Sequence, residues 1–485
     1  MEKFSRQQIK DMIKESDVFC ILPFKHILLA TGGTSTLCCM SHVQRTTSIK
    51  QEQAVVSLDE YSEEADPRLQ LDGTRPKHLQ YKKEKIHWHK VDFNKDLWQG
   101  KEYQQIRKNM VTNKMSPSCK LCYDLEKTGA RSNRHWSNAR LLDNWKYERQ
   151  EVVTINTESG NNFGHPIDFD LRLSRLCNLK CRMCSTSDSS QIHKEAVDNP
   201  YLQEFLNHQM PDLTHDYAEK EVDYILERLP NIERFKILGG EPTLSPQIQS
   251  ILDEAIRIGR NDIYLDITTN LTNVTDQWLD SLSRFDQVQL QFSIDGFGKT
   301  NEYIRFPSKW QQTEENMRRY LTFKPETMTK WHLSFHQTIS IYNIFDFWKL
   351  HEWLELLREE DYYGRIEGDR VNEAAWHVSL VNSPQELNPR ILPIKYREDL
   401  LNEFKEYIEK CPMGFAESGI QNVFDALTTD TMSPEEREEL LTLCARRTHL
   451  VDKTRQQYIK DYIPKAKTAI FENRDFKWKK LTEDK

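Results

Sequence analysis

The stretch LSRLCNLKCRMCSTS (173–187) places Cys177, Cys181 and Cys184 in one short segment of a chain that holds 10 cysteines in all. Three thiols so close cannot pair off among themselves. Where thiols stay reduced, such a group points to metal binding or catalysis before disulfides. The Cys-x3-Cys-x2-Cys spacing suits a loop, which can wrap thiolates around one side of an inorganic centre as a straight strand cannot. Structural zinc sites close with four protein ligands and catalytic ones keep three. A four-iron cluster has four corners to fill. Three thiolates therefore leave one iron open to another ligand. Short cysteine motifs serve zinc and clusters alike, so the spacing by itself leaves both open.

A second motif follows downstream, KILGGEPTL (236–244). Gly239 and Gly240 carry no Cβ and let backbone approach a ligand closely. Glu241 adds a carboxylate and Pro242 stiffens the turn. Two glycines suffice for a plain strand-to-helix turn, but such a turn does not ask for the acidic residue and the proline as well.

These residues need elements to hold them. The runs at 167–173, 235–240, 262–270, 287–295, 330–340 and 374–382 are short, apolar or alternating, and separated by helical stretches. Six such strands alternating with helices predict right-handed βαβ units and a parallel sheet, an α/β fold. Sites in such sheets lie at the carboxyl ends of the strands. Polar residues stand at those ends: Thr268, Thr269 and Asn270 in ITTN, Ser293 and Asp295 in FSID, and Gln337 in FHQTIS. Each can bind a ligand or simply cap the helix that follows. GFGKTNEYIR (296–305) has the look of a phosphate loop, but Gly-x-Gly alone is a weak signal, and Arg305 can be structural or substrate-facing.

The 485-residue chain is long enough for two or three domains, and 38% hydrophobic content is enough for real cores. A net charge of -8 argues against non-specific nucleic-acid binding by the whole chain. No apolar run reaches membrane-span length. The N-terminus, MEKFSRQQIKDMIKES, predicts a charged amphipathic helix with Ser5 as cap and Gln8 completing a capping box, not a signal or transit peptide. These features predict a soluble, cytoplasmic protein without a membrane partner. Residues 43–115 are a strongly charged insertion that includes QYKKEKIHWHK and a helix with Leu97, Trp98 and Ile106 on its apolar side. Such a basic stretch is better explained as a solvated face than as a nucleic-acid contact. Beyond 386 the chain turns helical and charged, with Ser433, Pro434 and Glu436 marking a helix start.

The cysteine loop and GGEP, in this order and context, resemble the radical S-adenosylmethionine (radical SAM) superfamily over residues 166–385. That resemblance implies a partial (β/α)6 barrel in which Cys177, Cys181 and Cys184 carry a [4Fe-4S] cluster. It implies that Gly239, Gly240, Glu241 and Pro242 bind the amino end of SAM, whose amino and carboxylate groups occupy the open iron. Met183 stands where the family often has an aromatic residue beside the adenine, and a polarizable thioether can pack there. Thr268, Asn270, Ser293, Asp295 and Gln337 stand where the family hydrogen-bonds the ribose and carboxylate of SAM.

The remaining cysteines fall mostly upstream. FCILPFKHILLATGGTSTLCCM (19–40) has Cys20, a hairpin pattern around Gly32-Gly33, and Cys38-Cys39; SPSCKLCYDLEKTG adds Cys119-x2-Cys122. Cys20, Cys38, Cys119 and Cys122 supply four thiolates, enough for a second four-iron cluster or a zinc knuckle. Neighbouring side chains of a strand face opposite ways, so Cys38 and Cys39 would not both reach one centre. Gly33-x4-Cys38 with a distant Cys-x2-Cys resembles the twitch or SPASM auxiliary-cluster domain of peptide-maturing radical SAM enzymes, here ahead of the barrel, and favours Cys38. Cys411 and Cys444 stand alone and are expected to be small buried hydrophobes.

The expected organisation is thus a twitch-like auxiliary domain at 1–150 carrying the insertion, a radical SAM barrel at 166–385, and a helical extension at 386–485. The resemblance implies an enzyme in which a flavodoxin- or ferredoxin-type donor reduces the barrel cluster. SAM is then cleaved to a 5′-deoxyadenosyl radical that takes a hydrogen atom from the substrate. Twitch and SPASM relatives imply a peptide or protein side chain as that substrate. A small molecule or nucleotide precursor is the second choice, and a non-catalytic iron–sulfur electron carrier a third.

Overall fold

The computed structural model describes residues 2–30, 35–40, 92–127, 131–143, 153–162, 164–206, 218–323, 330–359, 376–410, 420–429 and 432–472. Gly32, Gly33, Cys411 and residues 43–91 of the insertion lie outside them. The chain divides into two compact units. One comprises Met1–Arg175, Pro211–Ile267 and Arg284–Gln287; the other comprises Leu176–Met210, Thr268–Ser283 and Val288–Lys485.

The first unit begins with β1 (Glu2–Phe4) and the helix Arg6–Glu15, which Ser5 and Gln8 cap reciprocally as expected. Its other strands are β2 (His26–Ala30), β3 (Ser35–Thr36), β4 (Val153–Ile155), β5 (Asp168–Arg172), β6 (Arg234–Ile237) and β7 (Tyr264–Thr269), whose last two residues belong to the second unit. β1 pairs antiparallel with β4. The main strands lie in the order β3-β2-β5-β6-β7, with β2, β5, β6 and β7 parallel and β3 antiparallel at the edge. β2 therefore joins the hairpin of the N-terminal segment to the parallel strands: His26 stands opposite Asp168, and Ala30 opposite Arg172. Leu97, Trp98 and Ile106 are buried, but Gly100 splits their expected single helix into a π-type turn, Phe93–Trp98, and the helix Lys101–Val111.

Strand register also builds a buried charge row. His26, Asp168 and Arg234 are opposite one another on β2, β5 and β6. His26 Nδ1 lies 3.1 Å from Asp168, and the Arg234 guanidinium donates to Asp168 at 2.8 Å and also to Asp266. One row on, burial tends to raise the Asp170 carboxyl, but Lys236 and Arg172 outweigh that and hold it below its ordinary value.

The second unit carries β8 (Gln287–Ser293, from Val288 onward), β9 (Lys330–Ile339) and β10 (Trp376–Leu380), in that order, with β9 and β10 parallel. β8 alternates strictly: Val288, Leu290 and Phe292 are buried while Gln289, Gln291 and Ser293 are half-buried. That period of two is what a strand with one apolar face requires. Helices Lys299–Ile304 and Trp310–Thr322 link β8 to β9. Helix Pro434–Arg455 starts at Ser433, whose hydroxyl accepts from the Glu436 amide at 3.1 Å. Among the described residues no helix is long and apolar enough to cross a membrane.

Two outcomes check the charge row. Arg234→Met leaves Asp168 and Asp266 buried without their cation, and should cost about 3–5 kcal/mol in urea unfolding. Asp170 is lowered in the folded protein, so its share of the stability is complete above its ordinary value of about 4 and disappears as pH falls through the lower folded value. Asp170→Asn should therefore flatten the acid limb of an unfolding titration, and an unchanged acid limb would refute this assignment.

Candidate functional site

The loop after β5 is shaped by its own backbone bonds. The Cys177 amide donates to Ser190 Oγ at 3.2 Å, and Ser189 Oγ donates to the Leu179 carbonyl at 2.8 Å. The amides of Lys180 and Arg182 donate to the carbonyls of Phe306 and Ile304 at 2.6 and 2.8 Å, and a tight turn joins the Cys184 amide to the Cys181 carbonyl at 3.1 Å. Cys177 is buried, while Cys181, Met183 and Cys184 are half-buried.

The three thiols sense one another. Burial pushes the Cys181 thiol up to about 11, with Cys177 and Asp295 adding to the rise and Arg305 and Arg455 opposing it. Burial raises Cys184 strongly, and Cys181 and Cys177 raise it further. A bare loop thus favours neutral thiols; a thiolate here needs a positive partner, as a metal centre provides.

Several donors already point at the sulfurs. The Leu179 amide donates to Cys177 Sγ at 3.4 Å, Asn270 Nδ2 lies 3.8 Å from the same sulfur, and Arg305 Nη1 lies 4.0 Å from Cys181 Sγ. Donors aimed at sulfur are what cluster thiolates use to settle their charge. Among the described residues, no three His, Cys, Asp or Glu side chains converge as ligands of one ion. A cluster does not require that convergence, because each thiolate takes its own iron. The residues present fit such a group.

Gly239 and Gly240 follow β6. Gly239 has φ +122°, and a Cβ there would stand 2.5 Å from the Ser174 carbonyl oxygen. The Gly240 amide donates to that same oxygen at 2.9 Å. The glycine is therefore demanded by close backbone approach to Ser174, shortly before Cys177 in sequence. Glu241 is buried and accepts from the Thr243 amide at 3.2 Å and its hydroxyl at 2.8 Å, while Pro242 opens the short turn Pro242–Leu244.

The other strand-end residues divide by their partners. Asn270 touches the cysteine loop, donating also to Asn178 Oδ1 at 3.2 Å. Thr268 is half-buried and donates to Gln291 at 3.3 Å; Ser293 is half-buried at the end of β8. Asp295 pairs with Arg305 at 2.8 Å and accepts from the Thr338 amide at 3.0 Å. The Gln337 amide donates to the carbonyls of Asp295 and Phe347, and its oxygen accepts from Trp376 Nε1 at 3.1 Å. Asp295 and Gln337 thus have internal partners. Arg305, at the end of GFGKTNEYIR, turns out to join Asp295 to Cys181. Its residue type was the only sequence signal for that role.

In the first unit the structure brings Cys20, Cys38, Cys119 and Cys122 within electrostatic reach of one another. Burial raises Cys20, and Cys119 and Cys122 raise it further. Burial likewise raises Cys38, with Cys39, Cys20 and Cys122 adding to it. Cys119, raised first by burial, is raised again by Cys38 and Cys122. Cys39 is exposed, whereas Cys38 is half-buried. Donors again surround the sulfurs: the Arg134 amide and the Ser132 hydroxyl reach Cys122, and the Tyr123 hydroxyl reaches Cys119. Arg134 is held by Glu126 at 2.6 Å and by the Phe19 carbonyl at 3.1 Å. Cys444 is fully buried beside Thr448, as a small hydrophobe would be.

Residues 171–330 match the family model described as the Radical SAM superfamily. The family implies a [4Fe-4S] cluster and SAM. No curated protein matches the chain. Among solved structures, it is similar to a histidine-tagged anSMEcpe with bound AdoMet at 15% identity and TM-score 0.34, over 50% of this chain and 60% of that one. Streptococcus suis SuiB bound to S-adenosylmethionine is similar at 11% identity and TM-score 0.32, over 68% of this chain and 64% of SuiB. SuiB bound to precursor peptide SuiA gives 11% identity and TM-score 0.31, over 68% and 65%. The chain thus spans less than two thirds of each of these proteins.

Gly239→Ala combines a strained φ with a backbone collision. It should cost about 1–3 kcal/mol, read as a lower urea midpoint. An unchanged midpoint would mean that Ser174 simply moves aside.

Proposed function

We propose that the chain is a radical SAM enzyme that cleaves S-adenosylmethionine reductively and abstracts hydrogen from a peptide or protein side chain. The observation that carries this is the loop of Cys177, Cys181 and Cys184: three thiols in one short turn, with donors aimed at two of the sulfurs, inside the segment that matches the superfamily. When bound, the cluster and SAM supply one-electron cleavage to a 5′-deoxyadenosyl radical. The protein's own part is narrower. Cys177, Cys181 and Cys184 would hold the cluster, one thiolate to each of three irons. Asn270 and the Leu179 amide settle charge on Cys177, and Arg305, held by Asp295, does so on Cys181. Gly239, Gly240, Glu241 and Pro242 receive the amino end of SAM. Met183 packs near the adenine, and Thr268 and Ser293 face its polar parts. Cys20, Cys38, Cys119 and Cys122 would hold an auxiliary cluster, which would supply a substrate ligand or an electron acceptor. A flavodoxin- or ferredoxin-type protein is the donor. The peptide substrate rests on the resemblance to peptide-maturing enzymes.

Anaerobic reconstitution should give about eight irons per chain, as two four-iron clusters require. With dithionite and SAM, the protein should release 5′-deoxyadenosine. Cys181→Ala should abolish that release, while Cys122→Ala should leave it intact and impair product formation. Release from Cys181→Ala at the wild-type level would defeat the reading of the loop. Normal product formation by Cys122→Ala would defeat the role given to the second cluster.

A further inference from the structure

Helix Pro434–Arg455 lies beyond the segment that matches the superfamily, yet it reaches the cysteine loop at several points. Arg455 Nη1 donates to the Lys180 carbonyl at 2.7 Å, and Arg447 Nη2 donates to the Arg182 carbonyl at 2.7 Å. The amides of those same two residues are taken by Phe306 and Ile304. Lys180 and Arg182 flank Cys181, so both have donor and acceptor fully engaged. Between Cys181 and Cys184, the buried Arg182 guanidinium lies 3.6 Å from the Tyr303 ring centroid and pairs with Asp452 of the helix at 2.7 Å. Cys184 itself packs, with Leu450, against the apolar cluster that includes Val451.

We propose that this helix is a built-in part of the SAM-cluster site, with Arg447 and Arg455 as positioning residues that fix the chain on either side of Cys181 before any iron arrives. The inference rests on the reading that the loop holds a cluster. An arginine suits the task because its planar fork can hold a carboxylate and a carbonyl at once. Arg455 pairs with Glu195 at 2.6 Å while it donates to Lys180, and Arg447 pairs with Glu386 at 2.8 Å while it donates to Arg182. Buried ion pairs are weak contributors to stability, and apolar packing would seat a helix as well. What these guanidinium groups add is direction: each aims a fixed donor at one loop carbonyl. A loop held in its binding geometry gives up less freedom when a ligand arrives.

The test uses the full-length chain. Arg455→Met combined with Glu195→Met replaces the buried ion pair by apolar side chains, so the fold should survive; because Glu195 also holds Lys180 at 3.3 Å, Lys180→Met is run alone to subtract the loss of that contact. Arg446→Ala, on the same helix as Arg455, removes an exposed pair with Glu204 of the helix Gln203–Leu206 and is the control. In the iron-free chain, amide hydrogen exchange over 178–184 should rise about tenfold in the double variant, the loss of one charge-assisted hydrogen bond, with helix Pro246–Arg257 unchanged. In a Cys119→Ala, Cys122→Ala background, which leaves only the loop cluster to count, iron loss to a chelator should quicken by a similar factor. Exchange or iron loss that stays at the control level in the double variant overturns the proposal alone. A parent chain that takes up no iron at the loop overturns the cluster reading and the proposal with it.

Discussion

Charge placed among buried sulfurs is the interaction on which the rest of this structure turns. Cys181 is half-buried beside Cys177 and Asp295, both of which oppose its ionisation. Two guanidinium groups pull the other way. Arg305 comes from the segment after β8 and Arg455 from the helix Pro434–Arg455. Neither is free to drift, because each is held by a carboxylate, Asp295 or Glu195. The carboxylates are in turn buried and tied to backbone or lysine. The loop thus sits in a ring of compensated charge, in which a thiolate with a metal partner is at home and an isolated thiolate is not.

The N-terminal cysteines answer the same problem by a different route. Their four thiols come from the turn before helix Leu22–Lys25, the segment just after β3, the turn Pro117–Cys119 and the helix Lys120–Lys127, and each raises a neighbour. One buried arginine, Arg134, supplies the opposing charge and is locked by Glu126 and the Phe19 carbonyl. Hydroxyl and amide donors complete the set. Two groups of cysteines in separate compact units thus share one pattern: clustered sulfurs, a fixed guanidinium and short-range N–H or O–H donors.

Rigidity comes from backbone as much as from charge. The turn at Gly239 exists because the Ser174 carbonyl leaves no room for a side chain. The chain around Cys181 is pinned through the amides and carbonyls of its neighbours. Both devices act on main-chain atoms, so they hold position whatever rotamers the neighbouring side chains adopt.

What the sequence determined by itself is local. The alternation in QVQLQFS marks β8, Ser5 and Gln8 mark a helix start, Ser433 marks another, and close cysteine spacing marks the loop. Period, capping and short spacing are properties of neighbouring residues, so they can be read without the fold. Only tertiary structure decided that β2 would lie parallel to β5, that Arg305 would face Cys181, and that Arg455 would donate to Lys180, 275 positions away. Strand partnership depends on which edges are left unpaired once other strands have formed, and a long-range ion pair leaves no periodic trace. An arginine on a charged helix looks like any solvated arginine until the chain folds back and removes the water around it.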